Sequence, residues 1–499
     1  MRVLFASAEI YPLAKTGGLA DVSAGLPSAL ARRGVDVLLL MPAYPGVIER
    51  AEAKQCRIPL GNLLGRDDVS LVLAQTPDTG LPLCLVDCPS LFRRTGGLYA
   101  DEAGREWPDN AERFAVLCHA AARVATGAGI PGWHADVVHA NDWHLGLLPM
   151  LLSTIPEPRP ASVFTIHNLA FQGIFPAATL PRLGVPPSHF SPEGLEYYGQ
   201  LSFLKAGIRY ADKISTVSPS YAREILTPEF GCGFDGILRS RADDLVGILN
   251  GIDYSAWNPE DSETLCKPYS VENMSGKSTC KEALQDELGL KPGRKVPLFA
   301  FVSRMTEQKM ADILPAVVPS ILERGGQVAV CGQGDHKIES AVHALSRRHP
   351  GQVSVQIGYN DAFAKRMFAG ADVVLAPARF EPCGLTQMYG MRYGALPIAR
   401  RVGGLADTVK DLPANDDETP TGFLFDAATA FDFTGAIHRA CAAYRKPRAW
   451  RRMQIQAMTR NFGWRRSAQR YEELYAAVAR RIPGDRLNGL SGRRIAAGL

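Results

Sequence analysis

The sequence has no C-x-x-C pair among its ten cysteines, and those cysteines follow no regular spacing. That excludes a sequence-readable disulfide framework and fits reduced, mostly packed thiols in a cytosolic protein. No apolar run reaches the ~20 residues of a membrane span. The apolar part of Met1–Glu9 is too short for a signal peptide, so the expected location is the cytoplasm, with no membrane partner. An excess of charge of one sign is lacking as well. The net charge of +4 is too small to imply a nucleic-acid surface, and the arginines gathered at 445–452, 480–481 and 493–494 read as solvated helix faces. No pair of carboxylates stands out as a glycosidase acid and base. No Ser-His-Asp arrangement is visible, and the histidine-rich segments lack metalloprotease spacing. What is present is ordinary for a soluble globular protein: 46% hydrophobic and 21% charged residues over 499 positions, too long for one core. Two or three domains are expected.

One phrase occurs twice. Lys15-Thr16-Gly17-Gly18-Leu19-Ala20-Asp21-Val22 lies near the start, and Arg401-Val402-Gly403-Gly404-Leu405-Ala406-Asp407-Thr408-Val409 lies late in the second half. Each copy follows a strand-like run and precedes a stretch that can be helix. Two readings stand for such a Gly-Gly turn. It is an ordinary βα turn, or it lets backbone N–H groups crowd an anion at a helix N-terminus. The repetition of GGLAD favours the second and suggests two α/β units.

In the first half, Arg2–Ser7 reads as a strand. Leu19, Val22, Leu26 and Leu30 recur at helical spacing, with Gly34 to close the helix and Pro27 expected to kink or restart it. Val35–Met41 is a second buried strand, which completes a βαβ unit and implies a parallel sheet. Lys15 is either a point charge for an anionic ligand or a solvated loop lysine. Thr95–Trp107 reads as a polar loop, and Asp109 can cap a helix running to Arg123. Asp136–His144 is a strand entering a polar tip. Its His139, Asp142 and His144 admit a metal reading, but no fourth ligand is proposed nearby; Asp142 and Trp143 suit sugar recognition better. Ser162–Ile166 is a strand ending in His167-Asn168, where His167 acts on a ligand or is a hydrogen-bonded structural histidine. Lys213–Val217 is another strand. Leu245–Leu249 leads to Asn250-Gly251-Ile252-Asp253, and the polar stretch to Thr279 reads as a crossover between domains.

The second half repeats the alternation. Strands are expected at Leu298–Ser303, Gln327–Cys331, Val353–Ile357, Val373–Ala376 and Leu396–Ala399, each ending in glycine or charge. This describes a second doubly wound domain with a polar carboxyl edge. A phosphate-bearing ligand is the simplest explanation: Arg304 and Lys309 would balance a diphosphate without a metal, Gly384-Leu385-Thr386 would open a helix toward it, and Glu381 would accept from hydroxyls. Arg304 alone could equally be a strand-end salt bridge.

These motifs taken together resemble a known family. KTGGLADV (15–22), DNAERF (109–114), HANDWH (139–144), FTIHN (164–168), NGID (250–253), SRMTEQK (303–309), RFEPCGLT (379–386) and GGLADTV (403–409) are similar, in order and from about residue 1 to 476, to bacterial glycogen synthases and plant starch synthases. Phe462, Trp464, Ser467-Ala468 and Tyr471–Tyr475 fit that family's last helix.

The resemblance implies a GT-B-type α/β fold, two Rossmann-like doubly wound domains facing across a cleft. The implied division is 1–253 on the acceptor side, 254–460 on the nucleotide-sugar side, a returning helix at 461–481 and a mobile tail at 482–499. It implies transfer of glucose from ADP-glucose to the non-reducing end of an α-1,4-glucan (glycogen or maltodextrin), with retention, no metal and no cofactor. The family is usually described as using front-face attack, with a leaving-group phosphate oxygen taking the acceptor proton. By resemblance, Arg304 and Lys309 contact the diphosphate, and Glu381 with the N–H groups of Cys383, Gly384, Leu385 and Thr386 holds the glucosyl unit and phosphate. His167 lies by the glucosyl hydroxyls, Asp142 and Asn250 bind sugar, Lys15 and Gly18 close on the diphosphate, and Gly358-Tyr359 hold the adenine end. Two positions depart from the pattern. Met310 follows Lys309 where the family usually has Gly, and a side chain there is expected to tilt the lysine loop or slow closure. Trp107 stands where the family usually has Tyr. The competing readings are a UDP-glucose enzyme of the same fold, a glucan-binding paralogue without catalysis, and a pyridoxal-phosphate phosphorylase.

Overall fold

The computed structural model describes residues 1–51, 56–261, 263–411 and 419–480. The tail expected to be mobile from 482 lies outside the described residues. The chain divides into two compact units. The first comprises Met1–Val217, Ala222–Gly251 and the described chain from Trp464 on; the second comprises Ser218–Tyr221 and Ile252–Gly463.

The first unit is built on a nine-stranded sheet. Its strands lie in the order Leu245–Gly247, Lys213–Thr216, Ala161–Ile166, Val137–Asn141, Arg2–Ala6, Asp36–Pro42, Pro82–Asp87, Ser70–Gln75 and Arg57–Pro59. The first seven run parallel and the last two join antiparallel. The inner strands are buried on both faces, as their continuous Val/Leu/Ile runs require. From Arg2–Ala6 the chain winds first toward Asp36–Pro42 and later returns to Val137–Asn141 on the other side. The winding therefore reverses between Arg2–Ala6 and Val137–Asn141, and ligands of open α/β sheets bind at the carboxyl ends of such strands.

Two local expectations change. The first helix, Gly18–Arg32, runs unbroken through Pro27. Leu26, Pro27, Ala29 and Leu30 are all buried, and that burial outweighs one lost helical hydrogen bond. Asp109 does stand at the N-cap of helix Asn110–Ala125, but it makes no side-chain cap. Its carboxylate is taken by Arg94, at 2.7 Å from Nη1. That same Arg94 lies over the ring of Trp107, the aromatic that departs from the family pattern, at 5.2 Å.

The last helix, Trp464–Ala479, packs on the first helix. A Cβ at Gly25 would lie 2.1 Å from Trp464 Nε1, so the indole fits only against a glycine there. Ser467 Oγ donates to Leu249 O, and Tyr475 OH meets His139 Nδ1 at 2.6 Å inside the unit.

The second unit has a fully parallel six-stranded sheet in the order Val353–Ile357, Gln327–Gly332, Leu298–Val302, Val373–Ala376, Leu396–Arg400, Phe423–Phe425. In chain order this is 3-2-1-4-5-6, the dinucleotide-type arrangement, with its switch point between strands 1 and 4. Five of these strands are those expected from the sequence. The sixth, Phe423–Phe425, is only three residues long and has no periodicity to read. Among the described residues no helix is long and apolar enough to cross a membrane.

Candidate active site

In the second unit the two most charged loops leave the sheet at the switch point. Strand Leu298–Val302 runs into Ser303–Lys309, and its hydrogen-bonded neighbour Val373–Ala376 runs into Arg379–Thr386. The loops emerge side by side, and Lys309 Nζ forms an ion pair with Glu381, both side chains largely withdrawn from solvent. Main-chain ties hold this register: Arg379 N donates to Gln308 O at 2.9 Å. Arg379 itself binds Asp312 at 2.7 and 2.8 Å, so this motif arginine belongs to the framework. Arg304 is exposed at the same edge, with Nη2 3.5 Å from Gln308 Oε1 and no ion pair among the described residues.

The loop that follows is braced from below. Gly384 sits at φ +72°, and Gln387 Nε2 donates to Cys383 O (3.2 Å), Gly384 O (2.9 Å) and Thr408 Oγ1 (3.1 Å). Leu385 precedes helix Thr386–Arg392, whose N-terminal N–H groups begin at this edge. The second Gly-Gly copy packs against the same loop. A Cβ at Gly404 would lie 2.2 Å from Cys383 O, and Gly404 N donates to Glu381 O at 3.2 Å. Its Asp407 accepts from Ser220 N and Oγ at 2.8 and 2.7 Å. This copy shapes the backbone around Glu381. Gly358, at φ +114°, and the half-exposed Tyr359 follow the carboxyl end of the edge strand Val353–Ile357, two strands away from Leu298–Val302.

In the first unit the corresponding loops follow Arg2–Ala6, Val137–Asn141 and Ala161–Ile166, three neighbouring strands. The first Gly-Gly loop already holds an anion of its own. The buried Glu9 carboxylate accepts from Thr16 N (2.6 Å), Gly17 N (3.3 Å), Thr16 Oγ1 and Tyr99 OH (2.6 Å). The expectation that these N–H groups collect an external anion is therefore corrected for Thr16 and Gly17. What this loop offers a ligand is the helix start at Gly18 and the Lys15 ammonium, which lies 3.0 Å from Asp21. Glu9 and Tyr99 were not singled out by the sequence, although Glu9 ends the first apolar run.

Asp142 opens the loop after Val137–Asn141 at φ +62°, ψ 176°, a backbone region nearly reserved for glycine. Burial, with a smaller push from Glu9, raises its carboxyl to about 7, against the bond it accepts from Trp143 N at 2.9 Å. His167 is lowered to about 3 by burial, and its Nε2 lies 3.0 Å from Asn141 Oδ1. Asn250 is buried with Oδ1 unpartnered by the described protein. The other two histidines of the polar tip are used internally. His139 bonds Tyr475 and Thr165 on its two nitrogens. His144 is stacked between Trp143 (4.0 Å) and Tyr99 (4.6 Å). Among the described residues no three His, Cys, Asp or Glu groups converge as a metal site.

Residues 2–240 match the starch synthase catalytic domain family, and residues 284–456 match glycosyl transferases group 1. The chain is 48% identical to the glycogen synthase of Paramagnetospirillum magneticum over 482 residues, covering 96% of this chain and 98% of that protein. It is 49% identical to the glycogen synthase of Burkholderia thailandensis over 483 residues, covering 96% and 91%. The chain belongs to the glycogen and starch synthase family. The catalytic domain of starch synthase IV from Arabidopsis thaliana, solved with ADP and acarbose, superposes with a TM-score of 0.87 at 31% identity, covering 96% of this chain and 99% of that one. The synthase fold is thus GT-B, with a mostly parallel sheet in the first unit and a parallel sheet in the second. Sucrose-phosphate synthase from Thermosynechococcus elongatus shares the fold alone, at 18% identity, a TM-score of 0.55, and coverage of 95% and 99%.

The departure at Met310 has a clear local form in this synthase. Met310 adopts φ +52°, ψ 30°, the left-handed conformation that glycine takes without cost, while its side chain is fully buried. Lys309, beside it, reaches Glu381 all the same. Met310→Gly removes about 1 kcal/mol of backbone strain but also a buried side chain worth about 2–5 kcal/mol. A lower urea midpoint is therefore expected, and a raised midpoint would show that strain dominates.

Proposed function

We propose that this enzyme transfers glucose from ADP-glucose to the non-reducing end of an α-1,4-glucan, glycogen or maltodextrin, with retention and without a metal or cofactor, in the cytoplasm. The observation that carries the reading is the Lys309–Glu381 pair, brought together from 72 residues apart at the switch point of the second unit. Lys309 and Arg304 neutralise the charge that develops on the departing ADP. Glu381 accepts from glucosyl hydroxyls, and the N–H groups of Cys383, Gly384, Leu385 and Thr386 meet the phosphate, aided by the helix N-terminus. Gly358 and Tyr359 take the adenine end, for which an exposed ring just beyond an edge strand is suited. In the first unit Lys15 and Gly18 serve the diphosphate, His167 the glucosyl hydroxyls, and Asp142 and Asn250 sugar.

In the chemical step the C1–O bond to the β-phosphate breaks and a bond from C1 to the acceptor 4-oxygen forms on the same face. The acceptor proton passes to a phosphate oxygen of ADP. The neutral state of His167 suits it to hydrogen bonding without adding charge near the anomeric carbon. The test is ADP release from ADP-glucose with glycogen as acceptor, with and without chelator, and with UDP-glucose as a competing donor. Full activity in chelator and preference for ADP-glucose are expected. No ADP release, or loss of activity in chelator, would overturn the reading.

A further inference from the structure

Asn141 closes strand Val137–Asn141 and pairs in register with Thr165 of the neighbouring strand, two residues before His167. Side chains two apart on a strand share a face, so Asn141, Thr165 and His167 fall on one side of the sheet at its carboxyl edge. Asn141 is fully buried, and its amide can be read without ambiguity. Nδ2 lies 3.0 Å from Ala6 O and 3.4 Å from His139 O, two carbonyls that can only accept. The amide nitrogen must face them, so Oδ1 must face His167 Nε2, at 3.0 Å. An amide oxygen can only accept, which requires the proton of a neutral imidazole to sit on Nε2. The neighbouring histidines do not compete for that role. His139 spends both nitrogens on Tyr475 and Thr165, and neither nitrogen of His144 has a hydrogen-bond partner among the described residues.

We propose that Asn141 is a positioning residue that fixes His167 as the Nε2–H tautomer, so that the ring meets the sugar through Nδ1 as an acceptor only. A substrate hydroxyl must then donate to His167. The wrong tautomer would set the Nε2 lone pair against Asn141 Oδ1, two acceptors face to face, and would turn Nδ1 from an acceptor into a donor. The rigid part of this device is the first strand: Ala6 O holds the amide, the amide holds the imidazole, and the imidazole selects the direction of the hydroxyl hydrogen bond. The inference rests on the reading of His167 as a contact to the glucosyl unit, but the tautomer itself can be measured without substrate.

The experiment is two-bond 1H–15N correlation on the full-length enzyme labelled at histidine nitrogens, with the His167 signals assigned by their loss in His167→Ala. A pyrrole-like Nε2 and a pyridine-like Nδ1 are expected at neutral pH. Asn141→Ala is expected to admit the Nδ1–H form and to lower kcat by about tenfold, the scale of one lost hydrogen bond, with a smaller change in KM. An Nδ1–H tautomer in the wild type overturns the proposal. So does an unchanged Nε2–H tautomer in Asn141→Ala. If that variant does not fold, the wild-type spectrum still decides. Near-normal activity of His167→Ala would instead sink the assigned role of His167 and leave the tautomer result standing.

Discussion

Replacing Lys309 with alanine should lower kcat by about a hundredfold or more, the cost of removing one preorganised group that stabilises transition-state charge. The effect is expected in ADP release at saturating ADP-glucose, with KM changed far less. The geometry sharpens the expectation, because Lys309 is paired with Glu381 in a partly desolvated site. Lys309→Ala leaves a withdrawn carboxylate without its cation, and Glu381→Gln leaves the cation without its carboxylate. Each single change then carries both the loss of its own contact and the disturbance of its partner. The double variant should therefore lose clearly less than the product of the two single losses. Losses that multiply would mean that the two groups act independently. A Lys309→Ala rate within a few-fold of the wild type would remove this lysine from the chemistry.

The second large effect is a dependence of stability on pH in the first unit. His139, His144 and His167 all have folded-state values below the ordinary histidine value, chiefly because burial penalises the imidazolium. Below about pH 6.5 the unfolded chain binds protons at these positions and the folded chain does not, so stability is lost as pH falls. Asp142 has the opposite sign. Its carboxyl is raised to about 7, so between about pH 4 and 7 the folded state holds a proton that the unfolded state has released, and stability grows as pH falls. Each uncompensated proton is worth about 1 kcal/mol per pH unit. His119 is lowered by burial as well, so the histidines outnumber the one aspartate and the net effect is a loss of stability as pH falls below about 6.5. Hydrogen exchange on the full chain should show the strand amides of 137–141 and 161–166 losing protection steeply from pH 6.5 downward. Asp142→Asn should raise their protection at pH 8, where the wild-type carboxylate is ionised, and have little effect near pH 4, while its activity falls. A flat profile across that range would contradict the burial of these groups.

The parts of the site that could be read from sequence were those where residue type and strand ends coincide. Five strands of the second sheet, and the positions of Arg304, Lys309 and Glu381 just beyond two of them, followed from buried runs ending in charge. Other features were hidden because their meaning lies in a distant partner. Glu9 is one acidic residue after a strand until Thr16, Gly17 and Tyr99 are seen to converge on it. Asn141 is an ordinary polar strand end until Ala6 O fixes its amide. The repeated GGLAD phrase shows the same limit from the other side. Identical pentapeptides serve different ends, because Asp21 meets Lys15 whereas Asp407 meets Ser220. Pro27 misled for a related reason: a local rule about helices yielded to burial that only the assembled unit supplies.

The closing of the first unit by the helix Trp464–Ala479 also has a consequence for biosynthesis. The partners of that helix, Gly25, His139 and Leu249, leave the ribosome long before Trp464 does. At about 5–20 residues per second, the stretch between Gly251 and Trp464 takes on the order of 10–40 seconds to translate. Throughout that interval the nascent first unit lacks the aromatic wedge that fits against Gly25, while the inserted second unit emerges whole and is free to fold. The order of assembly is thereby inverted relative to the order of the chain: the unit that begins first is completed last.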